Sequence, residues 1–357
     1  MKRILVTGAG GSPAANFIRS LRKAPEEFHI TGTDADKYYL MRAEVDTRYL
    51  VPRVDDPSFL EVLNTIIADE EIGFVHAQND AELGFISERR EKIQAETFLP
   101  SKRTVRLCLD KFASYQEWRA AGLRVPTTTL LRSVADLREA FTEHGGNLWL
   151  RATTGAGGRG SLPVHDYGTA KAWIDFHKGW GHFTASELLE PASVTWMSIW
   201  HDGELIVAQG RKRLYWELSK ISPSGISGAT GGGETVSDPK LDDLAFRAVL
   251  AIDSKPNGLF GVDLTYDKSG IPNPTEINIG RFFTTHQFFT DAGLNMPYIF
   301  TKLAYGEAVP PISRRLNPVQ DGLVWIRGID FEPILTSVSE IERNVLALSQ
   351  LLRKLER

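Results

Sequence analysis

The sequence predicts two architectures in series: an α/β lobe on a parallel sheet up to about residue 105, then an α+β body on antiparallel strands. Three observations point there. Apolar strands alternate with helical stretches at the start of the chain, as in a doubly wound parallel sheet. Beyond residue 125, short strands are broken by Gly-rich loops at 155–160 and 225–233. Hairpin turns near 201–204 and 267–271 join strands that must run antiparallel.

In the first lobe, residues 2–7 form an apolar strand, followed by Gly8, Gly10 and Gly11 and a helix from Ala14 to Lys23. HITGTDAD at 29–36 is a second strand, 57–70 a helix, and IGFVHA at 72–77 a further strand, a Rossmann-like order. Backbone N–H groups of the turn GAGGSPAANF could hold an anion, with Asp34 where dinucleotide folds hold a ribose. The turn lacks strict GxGxxG spacing and carries Pro13, and the alternative is a glycine turn that only packs strand against helix. Residues 110–121 form a helix ended by Gly122, and its Phe112, Tyr115 and Trp118 stripe reads as core. Val125-Pro126, a strand TTTLL and a helix at 133–144 follow. The Pro- and Arg-rich stretch 305–320 reads as a linker, and the charged, leucine-rich 338–357 as a closing helix.

Bulk properties narrow the function classes. The 357 residues carry 41 Lys plus Arg against 45 Asp plus Glu, so no basic surface for nucleic acid is expected. Cys108 is the only cysteine, which excludes an intrachain disulfide and a Cys-rich zinc site. The apolar run Ile4–Val6 is too short for a signal-peptide core, and no apolar run of about 18 residues is present to span a membrane. A cytoplasmic protein is expected, with a homodimer the common oligomeric choice.

Two segments carry chemistry. LWLRATTGAGGRGSLPV reads as strand, flexible turn, strand. Gly155, Gly157, Gly158 and Gly160 strip side chains from the turn, so backbone donors can meet phosphate oxygens at close range, while Arg151 and Arg159 supply positive charge. An exposed hairpin without ligand is the alternative. In GLFGVDLTYDKSGIPNPTEINIGRFF two apolar runs flank the turn DKSG. Pairing about Ser269 and Gly270 sets Asp263 opposite Glu276, and strand alternation puts Glu276 and Asn278 on one face. Three oxygen donors on adjacent strands suit Mg2+, with Mn2+ as a substitute, sharing phosphates with a nucleotide. Carboxylates inside apolar strands are costly unless a metal or a cation such as Arg281 offsets them. Ordinary solvent-facing carboxylates are the alternative reading. A phosphate-covering loop and a magnesium site together are what phosphoryl transfer from ATP requires.

With these motifs in order, the chain resembles the ATP-grasp superfamily over roughly residues 1–310. It is most similar to the carbamoyl-phosphate-synthase-like proteins and carboxylate–amine ligases. Asp110-Lys111 opens a helix ending at Ala121-Gly122, ahead of Val125-Pro126; LRATTGAGGRGS, ASELLEP, GVDL and EINIGR follow. The first lobe, with QNDAEL at 78–83, resembles the lobe that precedes the ATP-grasp fold. The resemblance implies a Rossmann-like domain over 1–108 and an ATP-grasp domain over 109–310. Within the latter, α+β subdomains at 109–188 and 189–310 clamp ATP, and an extension covers 311–357. It implies that Lys111 and Arg151 contact nucleotide phosphates and that Glu187, Leu188 and Leu189 hold adenine. Asp263, Glu276 and Asn278 fall on its metal positions, and Arg281 near the transferred phosphate. Two positions depart from the pattern. Ser193 stands where relatives usually carry a second acidic residue for ribose, and Ile279-Gly280 precedes Arg281 where a single proline is common.

The implied activity is that of a Mg2+-dependent ligase. ATP converts a small-molecule carboxylate into an acyl phosphate, an amine displaces phosphate, and ADP is released, with Arg151 and Arg281 as catalytic groups. Asp80 and Glu82 would face the acceptor. Arg211, Lys212 and Arg213 meet phosphate or substrate, or else form a solvated strand end. Rival readings are an ATP-binding accessory protein without turnover, and carbamate or carboxyphosphate chemistry as in carbamoyl phosphate synthetase. A third is a short-chain dehydrogenase, on the strength of TGAGG and the Tyr167–Lys171 spacing.

Overall fold

The computed structural model describes residues 1–328, 334–339 and Glu342. The first lobe contains β1 (Lys2–Thr7), α1 (Ser12–Arg22), β2 (Phe28–Asp34), α2 (Lys37–Leu40), β3 (Thr47–Leu50), α3 (Phe59–Asp69), β4 (Phe74–Ala77) and α4 (Asp80–Glu88). Its four strands run parallel in the order β3-β2-β1-β4. Ile4, Leu5 and Val6 are fully buried because helices cover both faces, which is why β1 reads as a continuous apolar run rather than an alternating one. The single-turn α2 and the four-residue edge strand β3 carry too little periodicity to be legible in the sequence. The glycine turn after β1 is filled by the chain itself. Gly10 N–H donates to Asp34 Oδ2 at 3.1 Å, and a Cβ on Gly10 would lie 2.0 Å from the Tyr39 carbonyl oxygen. These contacts match the packing reading of that turn.

Next come α5 (Lys102–Leu109) and α6 (Lys111–Ala120), which Asp110 caps by accepting from Phe112 N–H and Ala113 N–H. A small antiparallel sheet follows, built from β5 (Thr128–Leu131), α7 (Val134–Glu143), β6 (Leu148–Ala152), β7 (Leu162–Val164), α8 (Tyr167–Phe176) and β8 (Phe183–Glu187), with strand order β5-β8-β6-β7. Leu131, Leu137, Leu148, Leu150, Ile174 and Phe183 form its own core.

The large sheet is formed by β9 (Ser193–His201), β10 (Glu204–Trp216), β11 (Thr230–Val236), then α9 (Pro239–Ile252), β12 (Gly258–Tyr266) and β13 (Pro272–Ile279). After α10 (Gln287–Asp291) and α11 (Met296–Ala304) come β14 (Leu323–Ile326) and β15 (Ile334–Ser337). Its seven antiparallel strands run β13-β12-β9-β10-β11-β14-β15. This sheet shares cores with the first lobe: Leu5, Leu63 and Leu83 join Trp196, Trp200 and Phe260, and Val6 and Phe17 join Met197, Leu259 and Phe282. The lobe and the large sheet therefore pack as one body, whereas the small sheet keeps a separate core.

Four expectations need correction. Only residues 225–229 of the second glycine stretch lie in a loop; Thr230–Val236 is strand β11, in which Tyr215 covers Gly231 and Gly232. Trp118 packs with the body and donates its indole N–H to the Ala248 carbonyl at 2.9 Å, so α6 does not belong to the core of the small sheet. The stretch 305–320 is no free linker, because Asn317 is buried, accepts from Gly210 N–H at 2.9 Å and donates to Asp242 at 2.8 Å. The chain beyond 311 is more than an appendage: β14 pairs with β11 and extends the large sheet. Of the expected helix at 338–357, only Val338, Ser339 and Glu342 fall among the described residues; the rest lies outside them. Among the described residues no helix is long and apolar enough to cross a membrane.

Candidate active site

One row of cross-strand neighbours defines the site. Glu276 on β13 opposes Asp263 on β12, Asp263 opposes Thr195 on β9, and Thr195 opposes Arg211 on β10. Because directly opposed residues share a face, the four side chains line up across the sheet. Two residues along, Asn278 opposes Gly261. The β12–β13 register slips between Asp263 and Leu264, leaving Thr275 as the extra residue of a bulge. Arg151 Nη2 donates to the Thr275 carbonyl at 2.7 Å, and Thr275 Oγ1 donates to the Asp263 carbonyl at 3.1 Å.

The structure brings Asp263, Glu276 and Asn278 together. Asn278 Nδ2 donates to Asp263 Oδ2 at 3.0 Å, and Asn278 Oδ1 accepts from Arg281 Nη2 at 2.9 Å. Two carboxylates and an amide, with no sulfur or imidazole, fit a hard divalent cation that takes its remaining ligands from phosphate and water. Among the described residues no group of three or more His, Cys, Asp or Glu side chains is arranged to hold a metal. A cation here would therefore depend on a nucleotide to complete its shell.

Basic groups converge from three parts of the fold. Lys111 Nζ lies 3.8 Å and Arg151 Nη1 3.9 Å from the Glu276 carboxylate, and Arg213 Nη2 lies 4.0 Å from Asp263. With Arg211 and Arg281, five basic side chains face three carboxylates (Asp80, Asp263 and Glu276), so the site carries excess positive charge. Burial lowers the pKa of Arg151, although Glu276 and Asp263 oppose the shift. Burial lowers that of Arg211 further, and neighbouring Arg213 adds to the effect. Burial works against Arg281, but the Asp80 carboxylate, together with Glu276 and Asp263, more than offsets it and the guanidinium ends above its ordinary range. Crowded, poorly hydrated cations of this kind make a receptor for a polyanion.

The glycine loop spans β6 and β7 as a hairpin, and Gly155, Gly157, Gly158 and Gly160 all adopt positive φ (95°, 72°, 69° and 75°), which explains the residue choice. Both of its ends are anchored. Lys111 Nζ donates to the Gly155 carbonyl at 2.5 Å, and Trp173 Nε1 donates to the Gly160 carbonyl at 2.9 Å. Arg159 sits exposed at the tip. A cavity of about 800 Å³ lies between this loop and residues 218–227, lined in part by Trp173, His177 and Ile226; none of the acidic row borders it. Glu187 ends β8, and Leu188 and Leu189 begin the crossing from the small sheet to β9 of the large one.

The first lobe supplies Asp80, which pairs with Arg281 through the guanidinium. Glu82 is not brought into the row. It is buried, accepts from Asn79 Nδ2 at 2.6 Å, and burial raises its pKa. The Ile279-Gly280 departure has a geometric answer: Gly280 takes φ 63° and donates to the Leu259 carbonyl at 2.8 Å, turning the chain so that Arg281 still reaches Asn278. A Cβ there would lie 2.7 Å from Leu83 Cδ1. Gly280→Ala is expected to destabilise by about 1–3 kcal/mol, read as a lower melting temperature. An unchanged melt would show that the turn tolerates a side chain.

At Ser193 the hydroxyl accepts from Arg213 Nη1 at 2.5 Å, so it serves the basic cluster. Lys212 points away and pairs with Glu234, whereas Arg211 is buried and Arg213 half-buried; the run alternates faces and is not a solvated strand end. Tyr167 and Lys171 lie on α8 of the small sheet, with Lys171 paired to Asp175, while TGAGG lies in the first lobe. This separation removes the geometric basis of the dehydrogenase reading. Sequence reasoning missed Thr195, Thr230 and Thr285, whose hydroxyls receive Arg211. A hydroxyl in the apolar strand SVTWMSIWH was the available signal for Thr195.

Residues 4–99 match the family model described as the PylC-like, N-terminal domain. No curated protein matches the chain. Among solved structures, the chain is similar to the biotin carboxylase domain of Hydrogenobacter thermophilus 2-oxoglutarate carboxylase in complex with MgADP, ADP and bicarbonate. That match has TM-score 0.71 and 15% identity, covering 91% of this chain and 74% of that one. N5-carboxyaminoimidazole synthetase from Staphylococcus aureus matches with TM-score 0.71 and 12% identity over 97% and 96% of the two chains. L-amino acid ligase from Bacillus licheniformis matches with TM-score 0.67 and 13% identity over 91% and 81%. At such identities the likeness is one of fold. The chain has the ATP-grasp fold, entered through a PylC-like N-terminal region.

Proposed function

We propose that the chain is an ATP-dependent, ADP-forming ligase that activates a small-molecule carboxylate as an acyl phosphate for attack by an amine. The observation that carries this reading is the Asp263–Glu276–Asn278 face, set among five basic side chains beside an anchored glycine loop. Asp263, Glu276 and Asn278 would hold Mg2+, which supplies charge neutralisation along the phosphates. Lys111 and Arg151, already spanning the glycine loop, the Thr275 carbonyl and Glu276, orient the triphosphate. Arg281, braced by Asp80, stabilises charge on the transferred phosphoryl group, and Arg211 meets the acid. The glycine loop excludes water from the acyl phosphate. Glu187, Leu188 and Leu189, at the crossing between sheets, suit an adenine contact. A first domain over 1–108 is part of the same proposal, supported by the family match to residues 4–99.

The test is ADP release with Mg2+ and ATP across a panel of carboxylic acids, each with and without amines, with hydroxylamine added to trap acyl phosphate as a hydroxamate. Acid-dependent ADP release with a trapped product supports the reading; amine-independent background from every acid, with no hydroxamate, overturns it. Arg151→Ala is expected to weaken nucleotide binding by about tenfold to a hundredfold, the scale of a lost charge-assisted hydrogen bond. Calorimetric titration with an ATP analogue reads this directly, and an unchanged affinity would remove Arg151 from the phosphate site.

A further inference from the structure

We infer that Thr195 is a positioning residue for Asp263, its hydroxyl tying the buried guanidinium of Arg211 to that carboxylate so that Asp263 stays aimed at the cation site. The inference rests on the metal role proposed for Asp263 and goes one shell outward. Thr195 is directly opposed to Asp263 on one side and to Arg211 on the other. Its Oγ1 donates to Asp263 Oδ1 at 2.5 Å and accepts from Arg211 Nη2 at 2.5 Å. Both Thr195 and Arg211 are 1% exposed.

Arg211 itself is an unusual group. Its Nη1 donates to Thr230 Oγ1 and Thr285 Oγ1 at 3.1 Å each, its Nε has no partner, and its guanidinium lies 4.6 Å from the centre of the Phe283 ring. Among the described residues no carboxylate forms an ion pair with it. A cation taken out of water without a counter-ion is costly unless its field is used. The carboxylate it reaches is Asp263, through one hydroxyl. A hydroxyl that accepts from a cation is polarised and donates more strongly to an anion, so the three groups reinforce one another.

The geometric consequence concerns rotation of the Asp263 carboxylate. With Oδ1 held by Thr195 and Oδ2 receiving Asn278 Nδ2, the plane of the carboxylate is pinned and each oxygen keeps a lone pair for a cation. Arg213 Nη2 stands 4.0 Å from the same Oδ1. Without Thr195, the carboxylate is free to turn into a direct pair with Arg213, which would take up the acceptor capacity a metal needs. A hydroxyl with only a structural role could be replaced by a methyl at a cost in stability but not in cation affinity; one that holds a metal ligand would cost affinity as well.

The experiment is Mn2+ binding in the presence of ADP, followed by the electron paramagnetic resonance signal of free Mn2+, for Thr195→Val, Thr195→Ser and Glu276→Ala beside the parent. Thr195→Val is expected to bind Mn2+ about 10- to 100-fold more weakly, with Thr195→Ser within about threefold of the parent, as for outer-shell partners of metal ligands. Thr195→Val within about twofold of the parent, while Glu276→Ala loses Mn2+, overturns the role of Thr195 alone. A Thr195→Ser variant as weak as Thr195→Val overturns it too, since the hydroxyl would not be what counts. Parent-like binding by Glu276→Ala instead removes the metal reading on which this one rests. Should Thr195→Val fail to fold, Thr195→Cys, with its weak donor, takes its place with the same expectation.

Discussion

Replacing Glu276 with alanine is expected to lower Mg2+-dependent ADP release by about a hundredfold to a thousandfold while leaving the fold in place, the scale on which a preorganised charge-stabilising group acts. Glu276 ends the polar row on edge strand β13, opposite Asp263. It is also the carboxylate toward which both Lys111 and Arg151 are drawn, at 3.8 and 3.9 Å. Its removal takes away a proposed cation ligand and leaves two basic groups facing each other without their shared anion. The melt should fall modestly, because both ion pairs are long but Lys111 and Arg151 are largely buried and lose their shared anion. Glu276→Gln separates the two effects: shape is kept and charge lost, and turnover should fall almost as far. Steady-state ADP release with saturating acid and amine, beside a thermal melt, makes the measurement. Near-parent release from Glu276→Ala would take this residue out of the metal site and with it the central argument for phosphoryl transfer.

The second large effect concerns stability in mild acid. His76 and His286 are both buried at the junction of the first lobe and the large sheet. His76 stacks on Phe17 at 4.2 Å and lies within 6 Å of the rings of Phe282 and Phe300; its Nε2 has no partner. His286 contacts Phe282 and bonds the Phe283 carbonyl through Nδ1 at 2.7 Å. Burial pushes both imidazoles down to about 3, and for His76 the proximity of His286 adds to it. The folded protein thus keeps both neutral, whereas the unfolded chain protonates them as pH falls through about 6.5. More protons bind the unfolded state, so stability is full above pH 6.5 and is lost on acidification toward pH 3. Each histidine contributes a slope of about 1.4 kcal/mol per pH unit, so by pH 5 the pair costs about 4 kcal/mol. That is a large part of a typical domain stability of roughly 5–15 kcal/mol.

Glu82 and Asp242, raised by burial, act in the opposite sense, since each favours the folded state while protonated and loses that contribution as pH rises. The difference between variants is therefore the informative quantity. His76→Phe suits the aromatic surroundings and should reduce the stability lost between pH 7.5 and 5 by about 2 kcal/mol in urea titrations. An identical loss in the variant would show that His76 protonates freely in the folded state.

How much of this was legible beforehand depends on how local each feature is. The Asp263–Glu276 pairing was readable because a tight turn ties two strands closely, and the period of two then places Asn278. Even there the bulge at Thr275 was not visible, although it gives Arg151 its acceptor. Ser193 could be matched to a position but not to its bond with Arg213. In the run Arg211 to Arg213, alternation was available, but which face was buried depended on how β10 sits between β9 and β11. The stretch 305–320 looked like a linker because proline and arginine dominate it, and the buried amide of Asn317 overrode composition.

The sequence by itself determined what short-range backbone geometry controls: the alternating first lobe, the glycine hairpin with its four left-handed residues, and the acidic hairpin with its facing oxygen donors. Tertiary structure alone decided which distant groups meet them. Asp80 reaches Arg281 across 201 residues, Arg151 reaches Thr275 across 124, and Thr195 reaches Asp263 across 68. Turn chemistry and side-chain alternation act over a few residues, whereas such partners follow from strand order and from apolar cores shared between remote segments.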